Sequence, residues 1–554
     1  MVNLLFPSRH LLNTRFQEEY LSAVLGQPTD TLTFRRKRPA PPAGTIDNIV
    51  FAVTSANQEN SRYNPIPFHQ RVRGVDRFAQ SFAANYGVGF NIFGIPEYPP
   101  TDAFAKYTLQ EIAEQTNDRL NLTPENTVVL CSTPALVKQY EKLGFAVLPA
   151  ELTRLNPERY STPTPTQVLQ QMVAAGEQWH QDPALRAKLS PTTFGLWRQS
   201  PEIVEKVLWL FRDPLLKEHG GLTDQRDYET YAAGMSGGAI LDIKYADIKP
   251  FIHSGKIVDE GCADGALLVR IARDFPDSDL LGIDITKEFI AEAKERQRRG
   301  EFGGTYVHFH QRNLFEHIFA PTSIDTTICN STTHEIWSYG KQEESVRQYL
   351  QQKFTQMRKG GRIIIRDVVG PEHGDEFVYL WCNADDGDNT DPLKECHNPK
   401  ELKQHLDQLS TAARFKRFAK DFLSEQRKSG NRGPTTEISY QATTFGSKSY
   451  FVLPLRVATE FMSKKDYTDN WQSEVGNEEF AFWDFRDWKL ALHRAGFQVL
   501  QDHDHPEQGS RAYTNPWIAE HRWQGKTELY RMEGTRLVQM PHPVTNMVLV
   551  GEKR

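Results

Sequence analysis

Cysteine is scarce in this 554-residue sequence, and no two cysteines form a CxxC pair. The five cysteines stand at positions 131, 262, 329, 382 and 396. This spacing excludes the common zinc-ribbon patterns and a disulfide framework, so we predict no metal site and expect a reducing, cytoplasmic setting. Cys396 and His397 are adjacent, but a single pair is more simply a surface coincidence than a metal site.

The sequence also lacks long hydrophobic runs and an excess of positive charge. No window approaches the roughly 18 apolar residues of a membrane span, and the first residues show no signal peptide. We therefore expect no membrane partner. The formal net charge of -6 gives no support to nucleic-acid binding, which needs cations, although it leaves such a partner open. We interpret the basic run at 35–38 as a solvated arm, and nothing here predicts an oligomeric state.

Strand-like and helix-like segments alternate twice along the chain, which is long enough for two cores. Such alternation is typical of parallel α/β sheets. We therefore predict an α/β protein with two Rossmann-like domains joined by a helical linker, the second sheet carrying an inserted cap. The predicted parts are a first domain at 1–160, a helical linker or cap at 161–235, and a second domain at 236–554 with an insert at 371–480.

The most informative segment runs from Lys256 to Gly265, with the sequence KIVDEGCADG. A buried strand ends in an acidic residue, and a glycine-rich turn then opens a helix. Glycine allows a ligand to approach the backbone closely, and a helix N-terminus offers N–H groups. A second apolar run, 280–284, also ends in a carboxylate, Asp284, which can accept both hydroxyls of a ribose.

Three later features follow in a fixed order: a polar residue after a short strand at 308–314, a strand with a polar tip at 323–330, and a helix end, glycine turn and strand at 357–367. This arrangement resembles the class I S-adenosylmethionine-dependent methyltransferases. The resemblance implies S-adenosylmethionine as cofactor and a small-molecule or nucleotide-containing methyl acceptor. The residues it implies for cofactor binding are Asp259, Gly261, Cys262, Ala263, Gly265, Asp284, Ile285, Asn313, Leu314 and Asn330.

Within that set, the turn would line the methionine end of the cofactor and Asp284 would bind the ribose. Asn313 and Leu314 would flank the adenine, while Asn330 would lie beside the methionine carboxylate or the reacting methyl group. Two positions depart from the family pattern. Ala263 replaces the usual glycine, which we expect to be tolerated with a negative φ. Asn313 replaces the commoner aspartate and retains a carbonyl oxygen for the adenine amino group.

Other interpretations of these residues stay open. The acidic residues at the strand ends could be helix caps or surface acids. A dinucleotide-binding dehydrogenase is a further alternative, but Gly261-x-Ala263-x-x-Ala266 is a poor match to its GxGxxG turn.

His334 and Glu335 follow the fourth strand of the predicted sheet, on the side where the resemblance places the acceptor. A histidine near neutrality suits a base that removes a proton from the acceptor. We hypothesise that His334 is this base or an acceptor-orienting group, with Glu335 as its partner or a supporting contact. A histidine that caps the following helix is an equally simple explanation.

The insert at 371–480 is expected to cover the acceptor pocket. Its acidic cluster, 385–388, is more typical of a turn-rich loop than of a cation site. Its basic stretch, 414–420, is more typical of an amphipathic helix with buried rings than of an RNA contact. The aromatic residues between 471 and 488 most simply build a core.

In the first domain, residues 61–71 (SRYNPIPFHQR) follow a predicted strand and precede a helix. This segment is similar to the nucleotidylyltransferase superfamily, although it has one histidine instead of a pair. The resemblance implies phosphate contacts from Asn64, His69 and Arg71. Two alternative functions stay open. One is nucleotidylyltransferase-type catalysis by this domain, with the second domain as a second activity or a cofactor sensor, and the other is a non-catalytic binding role for the whole chain.

Overall fold

The computed structural model describes residues 1–36, 39–97, 102–153, 159–213, 216–221, 238–316, 318–391, 398–428, 438–501 and 509–554. The chain forms two compact units, 1–223 and 224–554. The Cys396–His397 pair, half of the basic run at 35–38 and the last part of the predicted linker lie outside the described residues. None of the described helices has both the length and the hydropathy needed to cross a membrane.

The first unit contains a five-stranded, all-parallel sheet. Its strands are β1 (Val2–Ser8), β2 (Ile46–Thr54), β3 (Gly89–Ile95), β4 (Thr127–Leu130) and β5 (Ala146–Leu148). Their order in the sheet is β3-β2-β1-β4-β5. The central strand, β1, is buried on both faces: Leu4 and Phe6 pack into one core and Leu5 into the other. The parallel α/β prediction is confirmed, although β1 was not among the predicted strands.

Helices of this unit are α1 (Arg15–Val24), α2 (Phe68–Tyr86), α3 (Phe104–Gln115), α4 (Pro134–Lys142), α5 (Pro165–Ala175), α6 (Pro183–Arg186), α7 (Pro191–Gln199) and α8 (Pro201–Arg212). The last four fall in the predicted linker. Their apolar faces share a core with Leu11, Leu12 and Ile66. These helices therefore belong to the first unit instead of standing apart from it.

The strands of the second unit are β6 (Lys256–Glu260), β7 (Asp279–Asp284), β8 (Val307–Gln311), β9 (Ile324–Asn330), β10 (Met357–Val368), β11 (Phe377–Cys382), β12 (Gln441–Phe445), β13 (Lys448–Pro454), β14 (Gln498–Val499), β15 (Arg511–Tyr513), β16 (Thr527–Glu533), β17 (Arg536–Gln539) and β18 (Asn546–Glu552). They form two sheets, which we call the main sheet and the cap sheet.

The main sheet has the order β14-β18-β10-β9-β6-β7-β8, with β15 also paired to β18. Strands β6 to β10 are parallel, whereas β18 runs antiparallel to β10. The cap sheet is antiparallel in the order β12-β13-β11-β16-β17. The predicted inserted cap is thus present, and it also takes two strands from 527–539 that the expected insert at 371–480 does not contain.

Helices of the second unit are α9 (Gly238–Ile248), α10 (Ala266–Asp274), α11 (Lys287–Arg298), α12 (Thr333–Tyr339), α13 (Glu343–Gln356), α14 (Pro399–Gln408), α15 (Thr411–Asp421), α16 (Ser424–Lys428), α17 (Leu455–Lys464), α18 (Trp471–Glu474), α19 (Phe485–Arg494) and α20 (Pro516–Ile518). The basic stretch forms α15, and its Phe415 and Phe418 side chains are fully buried against the cap sheet. The amphipathic-helix interpretation is therefore confirmed. The acidic cluster is a loop in which Asp386 accepts hydrogen bonds from Thr411.

Candidate active site

The carboxyl ends of the parallel strands meet along one edge of the main sheet. The chain passes from β6 outward to β7 and β8, and then returns to β9 on the other side of β6. Crossovers that leave in opposite directions open a crevice at this point, and ligands of doubly wound sheets bind there. All the sequence-predicted cofactor residues belong to the ends of these strands or to the turns that follow them.

The turn after β6 requires glycine at two positions. Gly261 and Gly265 both have φ of +77°, a left-handed conformation that favours residues without a Cβ. A Cβ on Gly261 would also collide with the Thr332 side chain, and one on Gly265 would come within 2.9 Å of the Phe309 ring. The side chain of Cys262 is buried in the core below the turn. The turn therefore presents mainly backbone to the crevice.

Ala263 departs from our expectation, because its φ is +45° and not negative. Its backbone N–H donates to Asp284 Oδ2 at 2.9 Å, which holds the turn in this shape. A left-handed conformation costs a non-glycine residue about 1–2 kcal/mol. The turn is thus maintained by the carboxylate at the end of β7.

Asp284 ends β7 and is buried, with 8% of its surface exposed. Its second oxygen, Oδ1, accepts a hydrogen bond from the Thr286 N–H at 2.8 Å, just before α11. A carboxylate can accept about four hydrogen bonds, so these backbone contacts are compatible with ribose binding. The next residue, Ile285, is half-buried and its carbonyl accepts from Gln311 Nε2.

Two buried acceptor atoms at neighbouring strand ends have no hydrogen bond with the described residues. They are Asp259 Oδ2 on β6 and Asn330 Oδ1 on β9. Buried polar atoms are normally paired, so a lone acceptor calls for an explanation such as a ligand. The methionine part of S-adenosylmethionine carries an ammonium group, which is a donor. The residues at the switch point therefore fit the cofactor that the resemblance implies.

Asn313 and Leu314 follow β8. The side-chain oxygen of Asn313 accepts from the Phe315 N–H at 3.0 Å and so forms a turn. Leu314 is half-buried and packs against the apolar cluster that includes Val258 and Ile283. The side-chain oxygen of Asn313, which the resemblance implies would contact the adenine, thus accepts a hydrogen bond within its own turn.

A buried ion pair under this edge was not apparent from the sequence. Glu260, at the end of β6, is fully buried and accepts from Lys353 Nζ at 2.6 Å and from the Tyr349 hydroxyl at 2.5 Å. Lys353 also lies 3.5 Å from the Leu314 carbonyl. The pair thus joins the glycine turn to α13 and to the loop after β8.

His334 is buried on α12 with both ring nitrogens facing carboxylates. Nδ1 is 2.7 Å from Asp367 Oδ1 and Nε2 is 3.5 Å from Glu478 Oε2. Burial alone would lower the pKa of His334, but the charge of Asp367 and the hydrogen bonds to both acids raise the pKa well above its usual value. The imidazolium in turn lowers the pKa of Asp367 to about 2 despite burial.

The partner that we expected for His334, Glu335, does not take that place. Neighbouring residues on a helix point in different directions, and both nitrogens of His334 are accounted for by Asp367 and Glu478. Asp367 lies near the end of β10 and also accepts from the Thr333 N–H at the start of α12. His334 is therefore held between Asp367 of the main sheet and Glu478, and both carboxylates favour its protonated form.

The cap closes over α12 through the segment 478–482. Trp337 donates to Glu479 Oε2 at 2.8 Å and stacks on Phe482 with ring centroids 4.2 Å apart. The Tyr339 hydroxyl donates to Glu478 Oε1 at 3.1 Å. The segment 478–482 is therefore packed on α12, which follows β9; that the insert covers an acceptor pocket stays a prediction.

In the first unit, Arg71 is not placed to bind phosphate as we had expected. Its guanidinium donates to the backbone carbonyls of Arg9, Thr54 and Ser55 and so ties the ends of β1 and β2 together. His69 is exposed on α2 and Asn64 is buried. Arg71 therefore has a structural role, and the phosphate contacts expected from Asn64 and His69 stay predictions.

Residues 253–417 match a family model described as a methyltransferase domain. The second unit contains a class I S-adenosylmethionine-dependent methyltransferase domain. The predicted domain type and its cofactor are confirmed.

Relatives of this chain match it only in part. A 79-residue stretch, 14% of the chain, is 32% identical to ribosomal RNA large subunit methyltransferase G of Shewanella baltica and spans 21% of that protein. The chain thus matches about a fifth of the length of its curated relatives. A solved S-adenosylmethionine-dependent methyltransferase of Clostridium acetobutylicum is 9% identical, with 59% of this chain and 96% of that chain covered and a TM-score of 0.28. The identification rests on the family match and the site geometry.

The methyltransferase domain should bind S-adenosylmethionine more tightly as pH rises from 6 to 8. Burial, followed by the charges of Asp284 and Glu260, raises the pKa of Asp259 to about 8. We expect Asp259 to accept from the cofactor ammonium. Below that pH its carboxyl group must first lose a proton, so affinity should rise by up to about tenfold per pH unit. Calorimetry across this range checks the slope.

The matched control is Asp259→Asn, which has no such proton to lose. Its affinity should be weaker at pH 8 and nearly independent of pH between 6 and 8. Equal affinity of the native chain at pH 6 and pH 8 would remove Asp259 from contact with the ammonium.

Proposed function

We propose that the second unit transfers a methyl group from S-adenosylmethionine to a small-molecule acceptor at the capped edge of the main sheet. The observation that carries this proposal is the pair of unpaired buried acceptors, on Asp259 and Asn330, at the switch point of the main sheet. A donor-bearing ligand satisfies both atoms, and the turn between β6 and α10 offers backbone beside them.

The residues assigned to the cofactor can be grouped by the part of the cofactor that each would contact. Asp259 and Asn330 hold the ammonium group, the turn at 261–265 supports the methionine end, Asp284 accepts from the ribose, and the 313–314 loop flanks the adenine. When bound, the cofactor supplies a methyl carbon already activated by its sulfonium. The protein's contribution is then to hold the acceptor in line with that carbon and to exclude water.

The cap favours a small acceptor. Trp337 and Tyr339 contact the 478–482 segment next to His334, which supports a cap over this edge. The net charge of -6 does not favour a polyanion. A nucleotide-containing acceptor is the second candidate, because the relatives from Shewanella are named ribosomal RNA methyltransferases.

The test is methyl transfer from labelled S-adenosylmethionine to two pools, a low-molecular-mass cell extract and total RNA. Label in the low-mass pool supports the proposal, whereas label confined to RNA would reverse the order of the two candidates. Label in neither pool, together with cofactor binding, would favour the non-catalytic role.

Within this function we infer that His334, in its protonated form, holds in place the edge of the main sheet where the acceptor binds. It does not act as the base. A histidine whose protonated form is favoured by two carboxylates is poorly suited to take a proton from the acceptor. His334→Gln removes the charge between Asp367 and Glu478 and should loosen α12, and misplacing an acceptor by about 1 Å lowers turnover by about 10²-fold. The dissociation constant of the cofactor should change little.

The pH profile separates the two roles of His334. If it were a base of ordinary pKa, turnover would rise between pH 5.5 and 7.5 in the native chain and this limb would vanish in His334→Gln. We expect no rise of turnover with pH that depends on His334. His493→Gln, at an exposed position of α19, is the control, and unchanged turnover in His334→Gln would discard the inference.

A further inference from the structure

A lysine that is not among the assigned cofactor residues lies next to the switch point of the main sheet. Lys244 is half-buried on α9, and its Nζ donates to the Ser331 hydroxyl at 3.2 Å. Ser331 directly follows Asn330, the last residue of β9, whose buried side-chain oxygen has no hydrogen bond with the described residues. The lysine ammonium is therefore bound to the residue next to one of the two acceptors assigned to the cofactor.

An ion pair fixes α9 in this position. Asp247 lies 3.0 Å from Arg366 Nε, and Arg366 is paired in register with Asn330 where β10 and β9 end. Residues three apart lie on the same face of a helix, so Lys244 faces the same strand ends as Asp247. The side chain of Lys244 is therefore directed to the carboxyl edge of the main sheet by an anchored helix.

The backbone at Ser331 is held in an unusual conformation. Its φ is +57°, which is left-handed, and its N–H donates to the Arg366 carbonyl at 2.7 Å. The hydroxyl of the next residue, Thr332, donates to the Glu260 carbonyl at 3.3 Å, so this segment lies against the glycine turn. Strained backbone is concentrated at ligand sites, where the surrounding contacts maintain it. Here it places the Ser331 hydroxyl and the Lys244 ammonium together as two donors at one strand end.

The charges around Lys244 favour an anionic ligand. Burial, followed by the charge of Arg366, lowers the pKa of Lys244 to about 8, and the opposing charge of Asp367 does not make up for this. Asp367 is itself engaged by His334 and by the Thr333 N–H. An ammonium group in such surroundings is stabilised by a bound carboxylate, which supplies both a counter-charge and hydrogen-bond acceptors.

We propose that Lys244 and Ser331 bind the carboxylate of S-adenosylmethionine and so select this cofactor against its decarboxylated form. The inference rests on the proposed function, in which Asp259 and Asn330 hold the ammonium group of the cofactor. The ammonium and the carboxylate of an amino acid are bonded to the same carbon, so the carboxylate lies directly beside the ammonium. Lys244 and Ser331 are donors that the structure places there, one residue beyond Asn330.

Calorimetry of the full chain tests this proposal with two probes, S-adenosylhomocysteine and decarboxylated S-adenosylhomocysteine. Both carry the adenosine and the amino group, whereas the carboxylate is present only in the first. The native chain should bind the first probe at least about tenfold more tightly, since hydrogen bonds to a charged group are lost with the second. Lys244→Met should weaken binding of the first probe by at least about tenfold and should not weaken binding of the second, so the preference disappears.

Lys249→Met is the matched control, because Lys249 directly follows α9 and pairs with Asp274 at the end of α10. It should keep the native preference between the probes. Thermal melting establishes that each variant is folded, and Lys244→Gln takes the place of Lys244→Met if the latter does not fold. Lys244→Arg retains the charge and should retain most of the preference.

Equal weakening of both probes in Lys244→Met would overturn the inference, because Lys244 would then support the fold and not contact the carboxylate. A preference that survives in Lys244→Met, or equal binding of both probes by the native chain, would overturn it as well. These results leave the proposed function intact. Failure of the native chain to bind either probe is a distinct result, because it would refute the proposed function itself and the inference with it.

Discussion

Replacing Asp284 with alanine should reduce the affinity for S-adenosylmethionine by at least about 10²-fold, since hydrogen bonds to a charged group contribute about 1.5–3 kcal/mol each. Two effects combine. The variant loses the proposed contacts with the ribose hydroxyls. It also loses the acceptor for the N–H groups of Ala263 and Thr286, so the strained turn at Ala263 has less to hold it. Calorimetry with the cofactor and with its demethylated product measures both affinities.

Asp284→Asn separates the two effects, because the amide preserves the shape and one acceptor oxygen. We expect a loss of about tenfold for this variant, between the native chain and Asp284→Ala. Asp279→Ala is the control, since Asp279 is the exposed first residue of the same strand and lies at the opposite edge of the sheet. Native-like affinity of Asp284→Ala would refute the ribose contact and, with it, the assigned cofactor site.

Replacing Lys353 with methionine should destabilise the second unit by about 3–5 kcal/mol, because it leaves the carboxylate of Glu260 buried without its counter-charge. Glu260 is fully buried and Lys353 is 2% exposed, so water cannot take the place of the ammonium. The loop at Leu314 also loses a contact, so cofactor affinity should fall as well. Urea unfolding, with hydrogen exchange to assign the transition to this unit, measures the loss.

A double variant tests whether an unpaired charge is the cause. Lys353→Met combined with Glu260→Gln removes both charges and retains an acceptor for the Tyr349 hydroxyl, so most of the lost stability should return. Lys359→Met, at an exposed position of β10, should leave the free energy of unfolding nearly unchanged. If the double variant is no more stable than Lys353→Met, packing and not charge is responsible.

The main sheet and the strand ends that carry the proposed cofactor residues could be predicted from the sequence because their signals are local. Each of these residues lies at the end of a strand or in the turn after it. The apolar run of the strand and the residues of the turn are adjacent in the sequence, as at 256–265 and 280–284. The order of five such segments then fixes one edge of one sheet. The amphipathic helix α15 is a similar case, since its apolar face repeats with helical spacing.

Contacts between distant segments were not accessible in this way. Glu260 and Lys353 are 93 positions apart, and neither neighbourhood indicates the other. The sequence pointed to Glu335 as partner of His334 because it is adjacent, whereas helical geometry selects Asp367, 33 positions away. Strand β1 was not predicted, and both of its partners in the sheet, β2 and β4, are far along the chain.

The pairing of β11 has a consequence for synthesis on the ribosome. This strand lies at the centre of the cap sheet, and its two neighbours, β13 and β16, are both made after it. Tyr379 pairs with Val452 on one side and with Tyr530 on the other. Until residue 533 has been translated, the nascent chain carries an unpaired strand edge next to an apolar face, the kind of surface on which partly made chains aggregate. The interval between these strands is therefore the period in which the growing polypeptide most needs protection by a chaperone.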